Sequence, residues 1–204
     1  MKTAVQIGVM DGTNGDFFHD LCIERGVDRV VLVEPQTRYN SAIRERYADI
    51  SNHALYNYAI TSKESIKTAE MYLLNDNGGH NSLSKRVSHP VRTDGDNLPS
   101  RRVLCTTFNN LCNMAGVREV DLLCIDTEGL DAEIIHSIDF DRVGIDTIIW
   151  EKWNHADDDE NGVYQTGPEM DAGAQEYLKA NGYEISMYDD SNWMAKKKVG
   201  KNEL

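Results

Sequence analysis

The sequence has no excess of positive charge and no extended apolar stretch. It contains 21 lysines and arginines against 34 acidic residues, which gives a formal net charge of -13. Nucleic-acid-binding surfaces are typically basic, so this balance argues against a nucleic-acid partner and suits a neutral or cationic ligand. No segment approaches the ~20 consecutive apolar residues of a membrane-spanning helix, so we expect no membrane partner. Gln6 and Asp11 interrupt the N-terminal apolar residues, which argues against a signal peptide.

Cysteine is scarce and shows neither redox nor metal-binding spacing. The chain has four cysteines, none of them in a C-x-x-C pair, and each lies in an apolar segment: Cys22, Cys105, Cys112 and Cys124. This pattern indicates buried, reduced thiols and a reducing, cytoplasmic location. There is no internal repeat and no low-complexity tract. With 204 residues, of which 40% are hydrophobic and 27% charged, the chain is expected to form a single domain over residues 1–204.

A glycine-containing turn between a strand and a helix is the first motif. Residues 4–7 have the pattern of a short buried strand, and glycines follow at positions 8, 12 and 15. A helix opening at Asp16 would place four apolar residues on one face: Phe17, Phe18, Leu21 and Cys22. Strand, glycine turn and helix start are typical of a site for a nucleotide-like ligand in an open α/β sheet. The spacing G-x-x-x-G-x-x-G differs from the G-x-G-x-x-G of dinucleotide sites, and an ordinary strand-to-helix turn is the alternative.

An acidic residue ends the second predicted strand. Residues 29–33 read as a buried strand, and Glu34 and Pro35 follow it. In this architecture an acid at that position, roughly 20 residues after the glycine turn, holds ribose hydroxyls. A carboxylate can accept two hydrogen bonds from a vicinal diol. Together the two motifs favour an adenosine-type ligand over a solvated strand-end acid.

Strand and helix patterns alternate along the rest of the chain. Strands are predicted at 55–60, 69–74, 101–105, 121–125 and 146–150, and helices at 38–47, 107–114, 132–138 and 169–180. Residues 183–188 and 193–197 form a predicted terminal hairpin. This order predicts an α/β fold with a mostly parallel sheet flanked by helices and an antiparallel hairpin at the C-terminal end. Two polar, turn-rich segments, 75–100 and 154–168, are expected to be loops that border a ligand.

Three of the predicted strands end in acids, namely Glu34, Asp126 and Glu151. Ligands of open α/β sheets bind outside the carboxyl ends of the strands, where the glycine turn also lies. The sequence therefore predicts one site at this edge.

In chain order, the motifs resemble those of the FkbM-type methyltransferases. The segments that carry this resemblance are Gln6-Ile-Gly-Val-Met-Asp-Gly, Val33-Glu-Pro, Ala59-Ile60, Thr107-Phe108, Val120-Asp-Leu-Leu-Cys-Ile-Asp-Thr-Glu-Gly and Ile148-Ile-Trp-Glu. The family consists of S-adenosylmethionine-dependent O-methyltransferases built on a Rossmann-like sheet of seven strands. The resemblance covers roughly residues 4 to 190, and it implies the same fold, the same cofactor and a hydroxyl acceptor on a small molecule or glycan.

The resemblance also implies roles for individual residues. Gly8, Asp11 and Gly12 would lie beside the methionine and ribose, and Asp126 would face the methionyl end. The adenosine would be held by Glu34, Pro35, Ala59 and Ile60. Two positions depart from the family pattern, because the family often has an acid where Gln6 stands and an asparagine where Met10 stands.

A hydroxyl acceptor has to lose its proton, and three residues are candidate bases: Glu128, His80 and His155. The histidines lie in the two polar loops, and an exposed loop residue is the alternative for each. Glu128 could instead cap the following helix. The acidic run 157–160 reads as a solvated loop rather than a divalent-cation site, so no metal is assigned.

Two other functions share this fold. A nicotinamide oxidoreductase would need the dinucleotide glycine spacing, which is absent from the turn. A non-catalytic module that binds S-adenosylmethionine, or a partner subunit, is the other alternative, and the departures at Gln6 and Met10 favour it.

Overall fold

The computed structural model describes residues 1–13, 17–73, 81–83, 99–152 and 168–198. In this part of the chain the strands are β1 (Thr3–Ile7), β2 (Arg29–Val33), β3 (His53–Tyr56), β4 (Ala59–Ile60), β5 (Thr68–Tyr72), β6 (Ser100–Thr106), β7 (Glu119–Ile125), β8 (Gly144–Glu151), β9 (Tyr183–Met187) and β10 (Asn192–Lys197). The helices are α1 (Phe18–Arg25), α2 (Asn40–Arg46), α3 (Phe108–Ala115), α4 (Asp131–His136) and α5 (Pro168–Ala180). A 3-10 turn, Thr37–Tyr39, precedes α2.

Seven strands form the main sheet in the order β3-β2-β1-β7-β8-β10-β9. The first five are parallel, and β10 runs antiparallel to both β8 and β9. This architecture confirms the predicted fold class, a Rossmann-like sheet of seven strands with a C-terminal antiparallel hairpin. The chain leaves β1 towards β2 and β3, then returns to place β7 on the other side of β1. The strand order thus reverses between β1 and β7, which is where open α/β sheets bind ligands.

Helices cover both faces of the main sheet, so its central strands are apolar on both sides. Val30 and Leu32 belong to the core beneath α1 and α2, which contribute Phe18 and Ile43. Val31 and Val33 belong to the opposite core, which is built with the residues Phe108, Leu111, Ile134, Ile135 and Leu178 of α3, α4 and α5. This two-sided burial explains why β2 has an uninterrupted apolar sequence instead of an alternating one.

A second sheet of three strands lies outside the main one, with the order β4-β6-β5. The prediction of one strand over residues 55–60 was wrong, because β3 belongs to the main sheet and β4 to the small one. The chain turns between them at Asn57, whose side-chain Nδ2 donates hydrogen bonds to the backbone oxygen of Glu34 and to Oδ1 of Asn40, each at 2.8 Å. Because one apolar pattern runs through both strands, the sequence alone does not reveal that the chain changes from one sheet to the other.

Several predicted helix ends differ by a few residues from those in the structure. The helix predicted over 38–47 consists of the 3-10 turn and α2, and α1 begins at Phe18. The predicted cap at Thr107 is confirmed, because its side chain accepts a hydrogen bond from the backbone N–H of Asn110 at 3.3 Å. Residues 154–167 and most of 75–98 lie outside the described part of the chain.

No disulfide links the four cysteines, and all of them are buried. None of the helices in the described ranges is both long enough and apolar enough to cross a membrane.

Candidate functional site

A cavity of about 340 Å³ opens at the carboxyl ends of β1, β2 and β7. Its volume is within the range of small-molecule sites. The walls come from the turn after β1, the end of β2, residues 58–60, residues 81–83, the loop after β7, and Asn192 at the start of β10. The cavity therefore occupies the point at which the strand order of the main sheet reverses.

Gly8 sets the floor of this cavity. Its φ is +84°, and a Cβ built on it would lie 1.7 Å from the backbone oxygen of Asp126. The backbone N–H of Asp126 donates to the oxygen of Ile7 at 2.9 Å, so β1 and β7 remain paired up to the edge of the sheet. Only glycine permits both this conformation and this close approach.

Glu34 is buried in the cavity wall with 4% of its surface exposed. Its Oε2 accepts a hydrogen bond from the N–H of Met10 at 2.9 Å, and its Oε1 accepts one from the N–H of Gln36 at 2.8 Å. Burial raises the pKa of this carboxyl to about 7, although these two hydrogen bonds act in the opposite direction. Each carboxylate oxygen has a further lone pair and can accept a hydrogen bond from a ligand hydroxyl.

The wall beside Glu34 is largely apolar. Ala59 and Ile60, which are 7% and 2% exposed, line the cavity together with Pro35, Tyr58 and Met71. A flat apolar ring could stack in this region while a polar group attached to it reaches Glu34.

The segment after β7 carries the second group of acids. Asp126 and Glu128 line the cavity, and Glu128 has a left-handed backbone with φ +56°. The next helix has Leu130 as its N-cap, without a side-chain cap, and begins at Asp131. Asp131 Oδ1 accepts hydrogen bonds from the backbone N–H of Thr127 at 2.9 Å and from its hydroxyl. Asp131 therefore joins this loop to the first turn of the helix.

Two more carboxyl groups, those of Asp131 and Glu151, lie close to this loop. Burial raises the pKa of Asp131 to about 6. Burial also raises the pKa of Glu151 to about 9, with further contributions from the negative charges of Asp126, Asp131 and Glu128. Oε2 of Glu151 is buried and has no hydrogen-bond partner in the described part of the chain. The described residues that line the cavity include no lysine or arginine, so the site favours a positively charged ligand over a negatively charged one.

Of the residues that the sequence assigned to the cofactor, six line the cavity: Gly8, Glu34, Pro35, Ala59, Ile60 and Asp126. Asp11 and Gly12 lie in the following turn and outside the lining. In that turn Asp11 accepts the N–H of Thr13 at 2.9 Å, and Gly12 packs near Tyr47. Glu128 lines the cavity, whereas His80 and His155 are outside the described residues.

The structure adds residues that sequence reasoning did not assign to the site. Gln6 lines the cavity as a buried side chain, and its Oε1 accepts a hydrogen bond from the Tyr47 hydroxyl at 2.8 Å. Gln36 follows the Glu34-Pro35 motif directly, so its position could have been inferred. The other additions are Ile7, Val9, Met10, Phe17, Tyr58, Met71, Asn81, Ser82, Leu83, Cys124, Thr127, Leu130 and Asn192. No spacing rule identifies Asn81, Ser82 and Leu83, because they lie inside a long turn-rich segment.

The sequence matches the family model of the methyltransferase FkbM domain over residues 6–185. The fold resembles that of a methyltransferase FkbM from Methylobacillus flagellatus KT, with 12% identity, a TM-score of 0.52, and coverage of 95% of this chain and 43% of that one. A comparison with curated proteins yields no match.

Two archaeal fibrillarins are also similar in structure. The Methanococcus jannaschii fibrillarin pre-rRNA processing protein has 12% identity and a TM-score of 0.49, with coverage of 96% of this chain and 66% of that one. Aeropyrum pernix fibrillarin, crystallised with natively bound S-adenosyl-L-methionine, has 12% identity and a TM-score of 0.47, with coverage of 95% and 65%. This chain is thus shorter than each of these structures. Because the family model matches most of its length, the chain belongs to the FkbM methyltransferase family, whose methyl donor is S-adenosylmethionine.

Proposed function

We propose that the chain is an S-adenosylmethionine-dependent O-methyltransferase that acts on a hydroxyl group of a small molecule or glycan. The observation that carries this proposal is Glu34, a buried carboxyl that faces the cavity at the end of β2. A diol that donates to its two oxygens would favour the ionised carboxylate, and an adenosine ribose supplies such a diol.

The cavity residues fit the methyl donor in shape and in charge. Pro35, Ala59 and Ile60 provide an apolar wall beside Glu34, which suits an adenine ring next to its ribose. Asp126 and Glu128 lie on the opposite side, at the end of β7, and suit the positively charged methionyl end. The absence of lysine and arginine among the described lining residues supports the same orientation.

The bound donor supplies an electrophilic methyl group. In this proposal the chain holds the donor and acceptor in line, because positioning accounts for much of the rate of such a displacement. As the carbon–oxygen bond forms and the carbon–sulfur bond of the donor breaks, the acceptor hydroxyl loses its proton, and we assign its acceptance to the carboxylate of Glu128, which lines the cavity. Asp126 lines the cavity beside the donor and orients its methionyl end.

The acceptor class rests on the family resemblance and on charge. A net charge of -13 and an acidic cavity disfavour nucleic acids and other polyanions as acceptors. A neutral hydroxyl compound is not repelled by these negative charges.

Two measurements test this function. Calorimetry should detect binding of S-adenosylmethionine and no binding of NAD, and tighter binding of NAD would overturn the proposal. A panel of sugars and small hydroxyl compounds should then yield a methylated product and S-adenosylhomocysteine. If the donor binds and no hydroxyl compound in a broad panel is methylated, the non-catalytic binding module becomes the better interpretation.

A further inference from the structure

Residues 81–83 form a short segment that closes one side of the cavity, and we refer to Asn81, Ser82 and Leu83 as the clasp. All three line the cavity. The clasp is attached to three different parts of the fold, namely the small sheet, the loop after β7 and the end of β2. A polar surface loop does not require this set of attachments.

The first attachment is a backbone bridge to β5. The N–H of Tyr72 donates to the oxygen of Ser82 at 2.8 Å, and the N–H of Ser82 donates to the oxygen of Tyr72 at 3.2 Å. This pairing extends the edge of the small sheet towards the cavity. It holds the clasp in a fixed position relative to β5.

The second attachment is made by the side chain of Ser82, which is only 1% exposed. Its hydroxyl donates to the backbone oxygen of Glu128 at 2.6 Å. Glu128 has φ +56°, a left-handed conformation that disfavours residues other than glycine. The hydroxyl therefore restrains the carbonyl of the one described candidate base at a strained point of the backbone.

The third attachment reaches the opposite wall of the cavity. Asn81 Nδ2 donates to Oε1 of Gln36 at 3.1 Å, and the backbone N–H of Gln36 donates to Glu34. Through the clasp, the wall that carries Glu34 is joined to the loop that carries Glu128.

We propose that Ser82 is a positioning residue of the transferase, which holds the loop of Glu128 against the cavity and closes the wall over the bound donor. This inference rests on the proposed function, since it takes the ligand to be the methyl donor. Ser82 acts through the backbone of Glu128 and through the closed wall, and it takes no part in proton transfer.

The test uses S-adenosylhomocysteine as the probe, because its binding needs no acceptor. Ser82→Ala should weaken its equilibrium binding roughly tenfold, mainly through faster dissociation, because part of the binding free energy must then order the clasp and the loop of Glu128. Ser137→Ala is the matched control, because the Ser137 hydroxyl also donates to a backbone oxygen, that of Ile134 at 2.7 Å, outside the cavity lining. The control should leave S-adenosylhomocysteine binding unchanged.

Rescue by a conservative variant separates the role of the hydroxyl from general stability. Ser82→Thr keeps a hydroxyl that can donate to the backbone oxygen of Glu128, so it should bind S-adenosylhomocysteine more tightly than Ser82→Ala does. Binding as weak in a folded Ser82→Thr protein as in Ser82→Ala would overturn the role through Glu128. Wild-type affinity and dissociation rate in Ser82→Ala would overturn the inference as a whole.

A second variant covers the case in which Ser82→Ala does not fold, as judged by circular dichroism. Asn81→Ala leaves Ser82 in place and should weaken S-adenosylhomocysteine binding about threefold by releasing Gln36. Unchanged affinity in that variant would contradict the clasp. Failure of the wild type to bind S-adenosylhomocysteine is a separate result, which would overturn the proposed function and this inference with it.

Discussion

Glu34 combines two properties that rarely occur together in one side chain. It is nearly inaccessible to solvent, yet it borders an open cavity and accepts hydrogen bonds from the backbone on both sides, at Met10 and Gln36. A purely structural acid in this position would be expensive, because burial penalises its charge. A role in ligand binding explains why the carboxyl lies at this edge of the sheet.

We expect Glu34→Ala to weaken S-adenosylmethionine binding by roughly 1–3 kcal/mol, because the ribose hydroxyls lose their acceptors. The fold should persist, since few apolar contacts depend on a strand-end acid. Isothermal calorimetry with circular dichroism measures both effects, and Glu45→Ala on the exposed face of α2 serves as the control. An unchanged dissociation constant in a folded Glu34→Ala protein would refute the ribose role.

The raised pKa of Glu34 predicts a pH dependence of donor binding. Without ligand the carboxyl has a pKa of about 7, and hydrogen bonds from a diol stabilise its charged form. The pKa therefore falls on binding, and below pH 7 the protein must release a proton to bind the donor. The dissociation constant should rise as the pH falls from 7 to 6, and calorimetry in buffers of different ionisation enthalpy should detect the released proton. Glu34→Gln should remove this dependence; its persistence would assign the proton to another group.

Glu128 has two interpretations, a base or a cap of the following helix, and as a cap its replacement would lower stability slightly and spare turnover. If it is the base, Glu128→Gln should leave cofactor affinity and melting temperature nearly unchanged and lower turnover ~10²-fold or more. Asp126→Asn should instead weaken cofactor binding, since Asp126 directly follows β7 and lines the cavity. Full turnover in both variants at saturating cofactor would remove this loop from the mechanism.

Among the secondary-structure elements, α5 is tied to the main sheet by one buried acid. Asp171 of α5 is 7% exposed, and its two carboxylate oxygens accept the indole N–H groups of Trp150 on β8, at 2.8 Å, and of Trp193 on β10. The bridge joins a helix to a parallel strand and to the antiparallel strand beside it. It fixes the C-terminal hairpin, which places Asn192 in the cavity wall.

We expect Asp171→Ala to lower the free energy of unfolding by about 2–4 kcal/mol, because the buried indole N–H of Trp150 and the partly buried one of Trp193 lose their acceptors. Urea unfolding followed by tryptophan fluorescence measures this directly. Asp190→Ala, in the exposed hairpin turn, should have little effect. A loss of stability no larger than that of the control would indicate that the indoles find other partners.

The sequence predicts the main elements well, because their patterns are local. The apolar strand β2, the cap at Thr107 and the acid at the end of each central strand could all be identified from residue order. The division between β3 and β4 could not, since it depends on the hydrogen bond between Asn57 and the backbone of Glu34, which are distant in sequence. The clasp could not be identified for the same reason. Ser82 meets Glu128 only through tertiary structure, and nothing local distinguishes it from other serines in a polar segment.

For the molecule as a whole, the net negative charge and the carboxyl groups at the cavity both favour a positively charged ligand. The protein carries a formal charge of -13, and Glu34, Asp131 and Glu151 have raised pKa values at the same edge of the sheet. Each of these carboxyl groups binds a proton more tightly in the folded chain than in the unfolded chain. A cation bound there favours the ionised carboxylates, which suits a donor that carries positive charge.

The last prediction follows from the sign of these shifts. Glu151 has a pKa of about 9 in the folded chain and an ordinary value of 4.5, so between these limits unfolding releases a proton. The free energy of unfolding therefore decreases as the pH rises through this window. Glu34 and Asp131 also make the free energy of unfolding decrease with rising pH, but mainly below pH 7. Between pH 7 and 9 the pH dependence therefore comes mostly from Glu151.

The melting temperature should accordingly fall by roughly 5 °C or more between pH 7 and pH 9, and Glu151→Gln should remove most of that fall. Differential scanning fluorimetry at 0.3 M salt makes the comparison while it screens repulsion between surface charges. Glu184→Gln, at an exposed position of β9, is the same substitution outside the acidic edge and should keep the full pH dependence. If Glu151→Gln loses as much stability as the wild type over this range, then Glu151 is ionised in the folded chain. The acids at this edge would then repel one another at neutral pH, and a cationic donor would gain more from binding there.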